Sequence, residues 1–174
     1  PACHVCVVQA NEDNNCYTFD MRRLDHASCI HRDHVSAVMS LDYAPTGKEF
    51  VTGSYDRTVR IFRVGEGHSR EVYFTRRMQR VFAVKFSQDN KYVLTGSDEM
   101  NIRIWRAQAS ERVKTLLPRE QTALNYRAKL RNRYQHVEVV RKIIRQRNLP
   151  RGLQKAKQLR HEIRKSALRK AENV

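Results

Sequence analysis

Val38-Met39-Ser40-Leu41-Asp42-Tyr43 alternates apolar and polar positions at period two, the mark of a half-buried strand. Ala44-Pro45-Thr46-Gly47-Lys48 follows as a turn, where Pro presets φ and Gly accepts positive φ. Phe50-Val51-Thr52 predicts a second strand. Gly53-Ser54-Tyr55-Asp56 then turns the chain into a third, Thr58-Val59-Arg60-Ile61-Phe62. The same order returns downstream: a strand over Val81–Phe86, a turn over 87–91, and strands over 92–95 and 101–105. From Pro118 the period changes. Ala123, Tyr126, Leu130, Tyr134 and Val137 recur three or four residues apart, which predicts a helix beginning near Thr115 or Pro118. A second helix fits residues 137–147, with Val140, Ile143 and Ile144 apolar. Asn148-Leu149-Pro150 ends it, because the residue before Pro disfavours the α region. A third runs from about 151 to 171 on a sparse apolar stripe: Leu153, Ala156, Leu159 or the stem of Arg160, Ile163 and Ala167.

The strand half is a repeat. Residues 34–63 align with 77–106 at an offset of 43, with identities at Val38/Val81, Lys48/Lys91, Thr52/Thr95, Gly53/Gly96, Ser54/Ser97, Arg60/Arg103, Ile61/Ile104 and Arg63/Arg106. The same offset runs backward, placing Asp13 on Asp56 and Phe19 on Phe62, so a third, incomplete unit precedes them. Short strands at this period predict propeller blades. The stretches Thr52-Gly53-Ser54-Tyr55-Asp56-Arg57-Thr58-Val59-Arg60-Ile61-Phe62 and Thr95-Gly96-Ser97-Asp98-Glu99-Met100-Asn101-Ile102-Arg103-Ile104-Trp105 resemble the closing half of a WD-repeat. That resemblance implies a buried hydrogen-bond network in each blade. By position it would hold His34, Thr52 or Ser54, Asp56, and Phe62 in the place of a Trp. Phe lacks the indole donor, so this network is one link shorter. In the next blade the corresponding residues are Thr95, Ser97, Asp98 and Trp105; Arg77 replaces the His and Glu99 aligns with Asp56. About two and a half blades cannot close a ring, so further blades are expected from outside this stretch.

Charge separates the two halves. The chain carries 34 Lys and Arg against 18 Asp and Glu, a net +16. Residues 1–106 hold 15 basic and 13 acidic side chains, whereas 107–174 hold 19 and 5. The basic character therefore belongs to the helical segment. A solvated helix face usually mixes both signs in i,i+4 pairs. Here Glu138 and Glu162 are almost the only acids between 121 and 171, and like charges at helical spacing repel. Such helices suit a phosphate backbone better than bare water. An acidic protein surface and a plain solvated tail are the weaker alternatives. The candidate contacts are Arg127, Lys129, Arg131, Arg133, Arg141, Lys142, Arg145, Arg147, Arg151, Lys155, Lys157, Arg160, Arg164 and Lys165. Few aromatics accompany them, so shape and backbone charge are read rather than base sequence.

A strand repeat followed at once by cationic helices resembles the Sof family, WD-repeat proteins with a Sof-type C-terminal domain. Residues 9–22 (with Asn11-Glu12-Asp13-Asn14), 33–38, 67–73 (with Gly67-His68-Ser69), 75–81 and 96–107 carry the likeness, and 145–150 carry it more loosely. The resemblance implies a mainly β fold: a C-terminal part of a propeller over 1–107, then a basic helical domain over 108–174. It also implies a nucleolar factor of the small-subunit processome. Such a factor works with U3 snoRNP, pre-rRNA and other processome proteins, another propeller among them, to mature small-subunit rRNA. Some WD-repeat proteins instead serve cullin-RING ubiquitin ligases as substrate receptors through a Trp-Asp-x-Arg motif. Here Trp105-Arg106-Ala107-Gln108 and Phe62-Arg63-Val64-Gly65 miss its acidic position.

No catalytic signature is present: no Gly-rich phosphate loop, no H-E-x-x-H, no nucleophile elbow. Cys3-His4-Val5-Cys6 has the spacing of half a zinc site, but Cys16 and Cys29 stand thirteen apart and form no second knuckle. Val5-Cys6-Val7-Val8 reads instead as a buried strand. His31-Arg32-Asp33-His34 places two His three apart, and the blade network accounts for His34. No metal or cofactor is expected. No uncharged apolar run approaches about 18 residues, so no membrane span is predicted. Residue 1 is Pro and no secretory h-region follows, so the chain reads as an internal piece with reduced thiols.

Overall fold

The computed structural model describes residues 6–111, 115–146 and 148–172. It is mainly β, with ten strands in three antiparallel sheets and three helices after them. The first sheet is β1 (Cys6–Ala10), β2 (Cys16–Asp20) and β3 (Cys29–His31). The second is a complete four-stranded blade: β4 (Val38–Tyr43), β5 (Glu49–Ser54), β6 (Val59–Arg63) and β7 (Ser69–Tyr73), in that spatial order. The third holds β8 (Val81–Phe86), β9 (Tyr92–Ser97) and β10 (Ile102–Arg106). The outer strand β7 was not legible as a strand. Ser69-Arg70-Glu71 breaks the apolar alternation, and contacts distant in sequence order it: pairing with β6, Asp33 on Ser69, and Glu49 and the Ala107 carbonyl on Arg70.

The backbone repeats more faithfully than the side chains. A bulge between Val38 and Ser40 recurs between Val81 and Ala83, 43 residues on. Asn14, Arg57 and Met100 occupy the same turn position in the three units, and all have positive φ. Asn tolerates that region, whereas Arg and Met adopt it at a cost of about 1–2 kcal/mol. Gly47 and Asn90 likewise share a left-handed turn position.

Each sheet packs on the next through side chains of opposite faces. Between the second and third lie Val51, Val59, Ile61, Val81, Val84, Phe86 and Val93, all buried. Each such side chain contributes about 1.5–3 kcal/mol relative to exposure. Between the first and second lie Cys16, Val38, Phe50 and Phe62. Phe50 and Phe62 stack at 5.4 Å, and the His31 ring meets both edge-on. Polar stitches reinforce the contact: Phe86 N–H donates to Asp42 at 2.7 Å, and Tyr43 OH donates to the Cys6 carbonyl at 3.0 Å. β1 is half-buried rather than buried, with Val7 facing outward. The outer face of the third sheet exposes Leu94, Ile102 and Ile104, the positions by which the second sheet holds its neighbour.

The helices are α1 (Pro118–Arg133), α2 (Glu138–Arg145) and α3 (Arg151–Glu172). Pro118 opens α1 at a position where its missing N–H costs nothing. Arg131 and Arg133 in its last turn oppose the negative end of the helix dipole. By internal contact the described residues form two compact units. One joins the strands, up to Ala109, with α3; the other holds α1 and α2, within Ser110–Pro150. The sequence pattern places its single boundary after Ala107, whereas by contact α3 groups with the strands. No described helix is long and apolar enough to cross a membrane.

Candidate functional site

A buried carboxylate organises the second blade. The β5–β6 turn aims Asp56 inward, where it accepts from His34 Nδ1 at 2.9 Å, Val35 N–H at 3.2 Å, Thr58 N–H at 2.9 Å and Thr58 OH at 2.6 Å. His34 Nε2 lies 2.7 Å from Thr52 Oγ1, and the Thr52 hydroxyl reaches the Arg60 carbonyl at 3.3 Å. Thr52 is thus the histidine's partner. Ser54 plays another part, for its hydroxyl donates to the Ala37 carbonyl at 2.8 Å and accepts the Asp56 N–H at 3.1 Å. Phe62 carries no polar link and packs on His34 at 6.1 Å. Burial opposes the Asp56 charge. The His34 imidazole, the Arg60 guanidinium and the Thr58 hydroxyl outweigh it and hold the carboxyl well below the usual range.

The third blade keeps only part of this arrangement. Trp105 Nε1–H donates to Thr95 Oγ1 at 2.9 Å, the link that Phe62 cannot make. Ser97 OH donates to Glu99 at 3.2 Å, and Glu99 pairs with Arg103. Asp98, expected as the turn carboxylate, enters instead through its backbone N–H on the Arg80 carbonyl at 3.0 Å. Glu99 takes that place because it, not Asp98, falls at the turn position of Asp56.

A second buried polar cluster lies between the first two blades, and sequence reasoning missed it. Asp33, 5% exposed, accepts from Ser69 N–H at 2.7 Å and Ser69 OH at 2.8 Å. Arg60 approaches Asp33 at 3.9 Å and donates to Ser69 Oγ at 3.2 Å. Arg60 is 1% exposed, and its Nε and Nη2 have no partner among the described residues. His31 is satisfied on both sides, with Nδ1 2.6 Å from the Glu66 carbonyl and Nε2 2.8 Å from Thr18 Oγ1. Burial pulls its pKa down, more than the Glu66 carbonyl and Asp33 raise it. The only sequence signal for this cluster was a charged Arg60 inside the strand Val59–Arg63; Asp33, in the loop after β3, carried none.

Helix α3 lies on this cluster. Lys157 Nζ bonds Asp33 at 2.8 Å, and Arg160 donates to the His34 carbonyl at 2.7 Å and the Asp13 carbonyl at 3.2 Å. Burial works against the Asp33 charge, but the Lys157 ammonium, the Ser69 N–H and Arg60 hold its carboxyl well below the ordinary range. Lys157 and Arg160, expected as RNA contacts, therefore bind the blades. The helical period explains it, since Leu153, Ala156 and Arg160 share the half-buried face. Beside the helix is a cavity of about 1060 Å³, lined by Tyr17 from β2, by Arg32 from the segment after β3, and by Arg160, His161 and Arg164 from α3, among others.

The remaining predicted cations divide between the two units. Arg151, Lys155, Arg164 and Lys165 are exposed on α3. Arg127, Lys129, Arg131, Arg133, Arg141, Lys142 and Arg145 are exposed on α1 and α2, with Lys142 paired to Glu138 at 2.8 Å. Arg147 lies outside the described residues. Tyr126 and Tyr134 are also exposed, as are Val139, Ile143 and Ile144.

The described residues hold no cluster of three His, Cys, Asp or Glu suited to a metal ion. Cys3 lies outside them. Cys16 is fully buried against Phe50 and Phe62; burial, with the nearby Asp13 charge, pushes its thiol up to about 12, so it acts as a small apolar side chain.

Comparison with known proteins matches both halves. A family model described as a Sof1-like domain covers residues 107–174, and one described as a WD domain, G-beta repeat, covers 27–63 and 66–106. The chain is 53% identical over 165 residues to DDB1- and CUL4-associated factor 13 of Danio rerio, covering 95% of this chain and 37% of that protein. It is 46% identical over 165 residues to Protein SOF1 of Saccharomyces cerevisiae, covering 95% and 34%. With the Homo sapiens DDB1- and CUL4-associated factor 13 it shares 49% over 150 residues, covering 86% and 34%. The chain thus spans about a third of the length of these curated relatives.

Proposed function

Because the chain belongs to the Sof family of WD-repeat proteins, we propose that it forms the propeller end and basic extension of a non-catalytic ribosome-assembly factor. In this reading the factor is a nucleolar component of the small-subunit processome. Its blades dock on neighbouring assembly proteins, another propeller among them. Its helices neutralise pre-rRNA, close to U3 snoRNP. The observation that carries the reading is the set of exposed cations on α1, α2 and the outer side of α3, with few acids among them. Cations of this kind release counterions from a phosphate backbone, which binds RNA without reading its sequence. The buried polar clusters are structural, since they face other protein groups rather than solvent.

The test is a salt titration of the complete protein with a labelled structured RNA. Affinity should fall by about 0.7–0.9 log units per log unit of salt for each phosphate contacted. Charge reversal at Arg141, Lys142, Arg145 and Arg147 should weaken unrelated RNAs alike. A slope near zero would remove RNA contact from the proposal.

A second reading has one specific support. Several relatives are named for association with DDB1 and CUL4, which fits a substrate receptor of a cullin-RING ligase. The departures at Arg106 and Gln108 from the Trp-Asp-x-Arg pattern weigh against it. Co-purification of the complete protein with DDB1 would favour that reading, and its absence would remove it.

A further inference from the structure

The cavity beside α3 differs from the rest of the strand unit in its charge. Its wall carries Arg32, Lys157, Arg160 and Arg164 and no carboxylate. Arg32 comes from the segment that follows β3, and the other three from the helix, so two separate pieces of chain converge on one space. Their charges are not all available. Lys157 is held by Asp33. Arg160, however, donates to the backbone carbonyls of His34 and Asp13, which fix its position without neutralising it. The Asp13 carboxylate nearby, held by Tyr17 and Asn15, feels the Arg160 charge and offsets part of it, but it makes no ion pair with Arg160 and does not line the cavity. Arg32 and Arg164 are exposed.

We propose that this groove binds a single-stranded stretch of RNA, with Arg32, Arg160 and Arg164 on its phosphates. The inference rests on the RNA-binding reading above and names a site within it that the helices alone do not form. The cavity is at the upper end of the range that encloses one small ligand, so it has room for a segment of polymer. Tyr17 and His161 also line the wall, and aromatic rings stack on bases without regard to sequence. Arg160 is the anchor because its stem is half-buried and its guanidinium is fixed by two carbonyls. A cation fixed in advance loses less side-chain freedom when a phosphate arrives.

The experiment uses the complete protein and a fluorescein-labelled mixed-sequence 12-nucleotide RNA, followed by anisotropy. Arg32→Glu and Arg164→Glu are exposed substitutions, and an unchanged melting midpoint confirms that each variant is folded. Each should weaken binding about tenfold and lower the salt slope by about one. Tyr17→Phe, which keeps the ring, should leave affinity nearly unchanged, whereas Tyr17→Ala should weaken it. If Arg141→Glu and Arg145→Glu weaken RNA binding while Arg32→Glu and Arg164→Glu leave it intact, the groove is overturned and the RNA-binding reading survives. If the wild-type protein binds no RNA in a salt-dependent way, that reading fails and the groove fails with it.

Discussion

Replacing Asp56 by Ala removes the acceptor for four hydrogen bonds at once. His34 Nδ1, Val35 N–H, Thr58 N–H and Thr58 OH all converge on its two oxygens, at 2.6–3.2 Å. His34 is 2% exposed and Thr58 is fully buried, so water does not reach their three donors in the native fold, whereas the Val35 N–H is only partly buried. A buried donor left unsatisfied costs about 1–3 kcal/mol, and four such donors set a ceiling of about 4–12 kcal/mol. Three effects lower that figure. Water enters part of the vacated space, the Thr58 hydroxyl rotates to another acceptor, and removing the carboxylate removes its own desolvation. Against this, Arg60 loses one of the two carboxylates that offset its burial. Breaking a buried charged pair costs about 3–5 kcal/mol, and that is the expected loss for Asp56→Ala. Asp56→Asn keeps one acceptor oxygen in place and should lose about 1–3 kcal/mol. Urea denaturation of the complete protein measures both, provided the transition is two-state with an unchanged slope. Equal midpoints for wild type and Asp56→Ala would refute the view that these bonds hold the blade. A larger loss for Asn than for Ala would refute the counting of donors.

Two further outcomes follow from packing and protonation. A Cβ at Gly53 would sit 2.7 Å from Val81 Cγ1 and 2.8 Å from Val84 Cγ1 on the next blade, so Gly53→Ala should cost about 1–3 kcal/mol. At the equivalent Gly96 a Cβ meets only Ala83, at 3.7 Å; if a further blade packs there in the complete ring, Gly96→Ala will cost it as much, and a neutral result would count against closure on that face. Acid should act in two stages. The His31 pKa is lowered in the fold, so the unfolded chain takes up that proton first and stability begins to fall below about pH 6.5. Asp33 and Asp56 are also lowered, so their contribution is complete above about pH 4 and is lost as pH falls further. Urea midpoints from pH 8 to 3 read both stages. His31→Gln should flatten the upper one, and a midpoint that rises on acidification would contradict the assignment.

What the sequence made legible was what repeats. The 43-residue offset located β4 to β6 and β8 to β10, because their inward positions are apolar in both copies. The WD-repeat resemblance, not the offset, located His34, Thr52 and Asp56, whose contacts lie within one blade and the loop before it. The bonds made across blades left no such trace. Asp33 is ordered by Ser69, 36 residues on, and by Lys157, 124 residues on. Nothing local distinguishes that carboxylate from the exposed Asp25 or Asp89. Arg32 escaped for the opposite reason: it is an ordinary exposed arginine until α3 is laid beside it. On α3 the pattern left two possibilities, Leu159 or the stem of Arg160, and the structure selects Arg160. Its guanidinium finds two carbonyls at the blade surface, whereas Leu159 is 58% exposed.

That selection bears on what the blades would contribute to the proposed polyanion binding. A helix with Arg151, Lys155, Arg164, Lys165, Arg169 and Lys170 and only two glutamates repels itself, and alone in water it would be poorly stable. Here two of its cations are used to hold it: Lys157 by a buried carboxylate and Arg160 by backbone carbonyls. Asp33 is suited to that role because Ser69 and Arg60 already fix it, so the cost of burying it does not fall on the helix alone. The near-neutral blades thus add little net charge of their own. They supply fixed acceptors that keep a cationic helix folded and in one place. On the proposed RNA-binding reading, a helix held in this way would meet a phosphate backbone with less conformational entropy left to lose than a free tail.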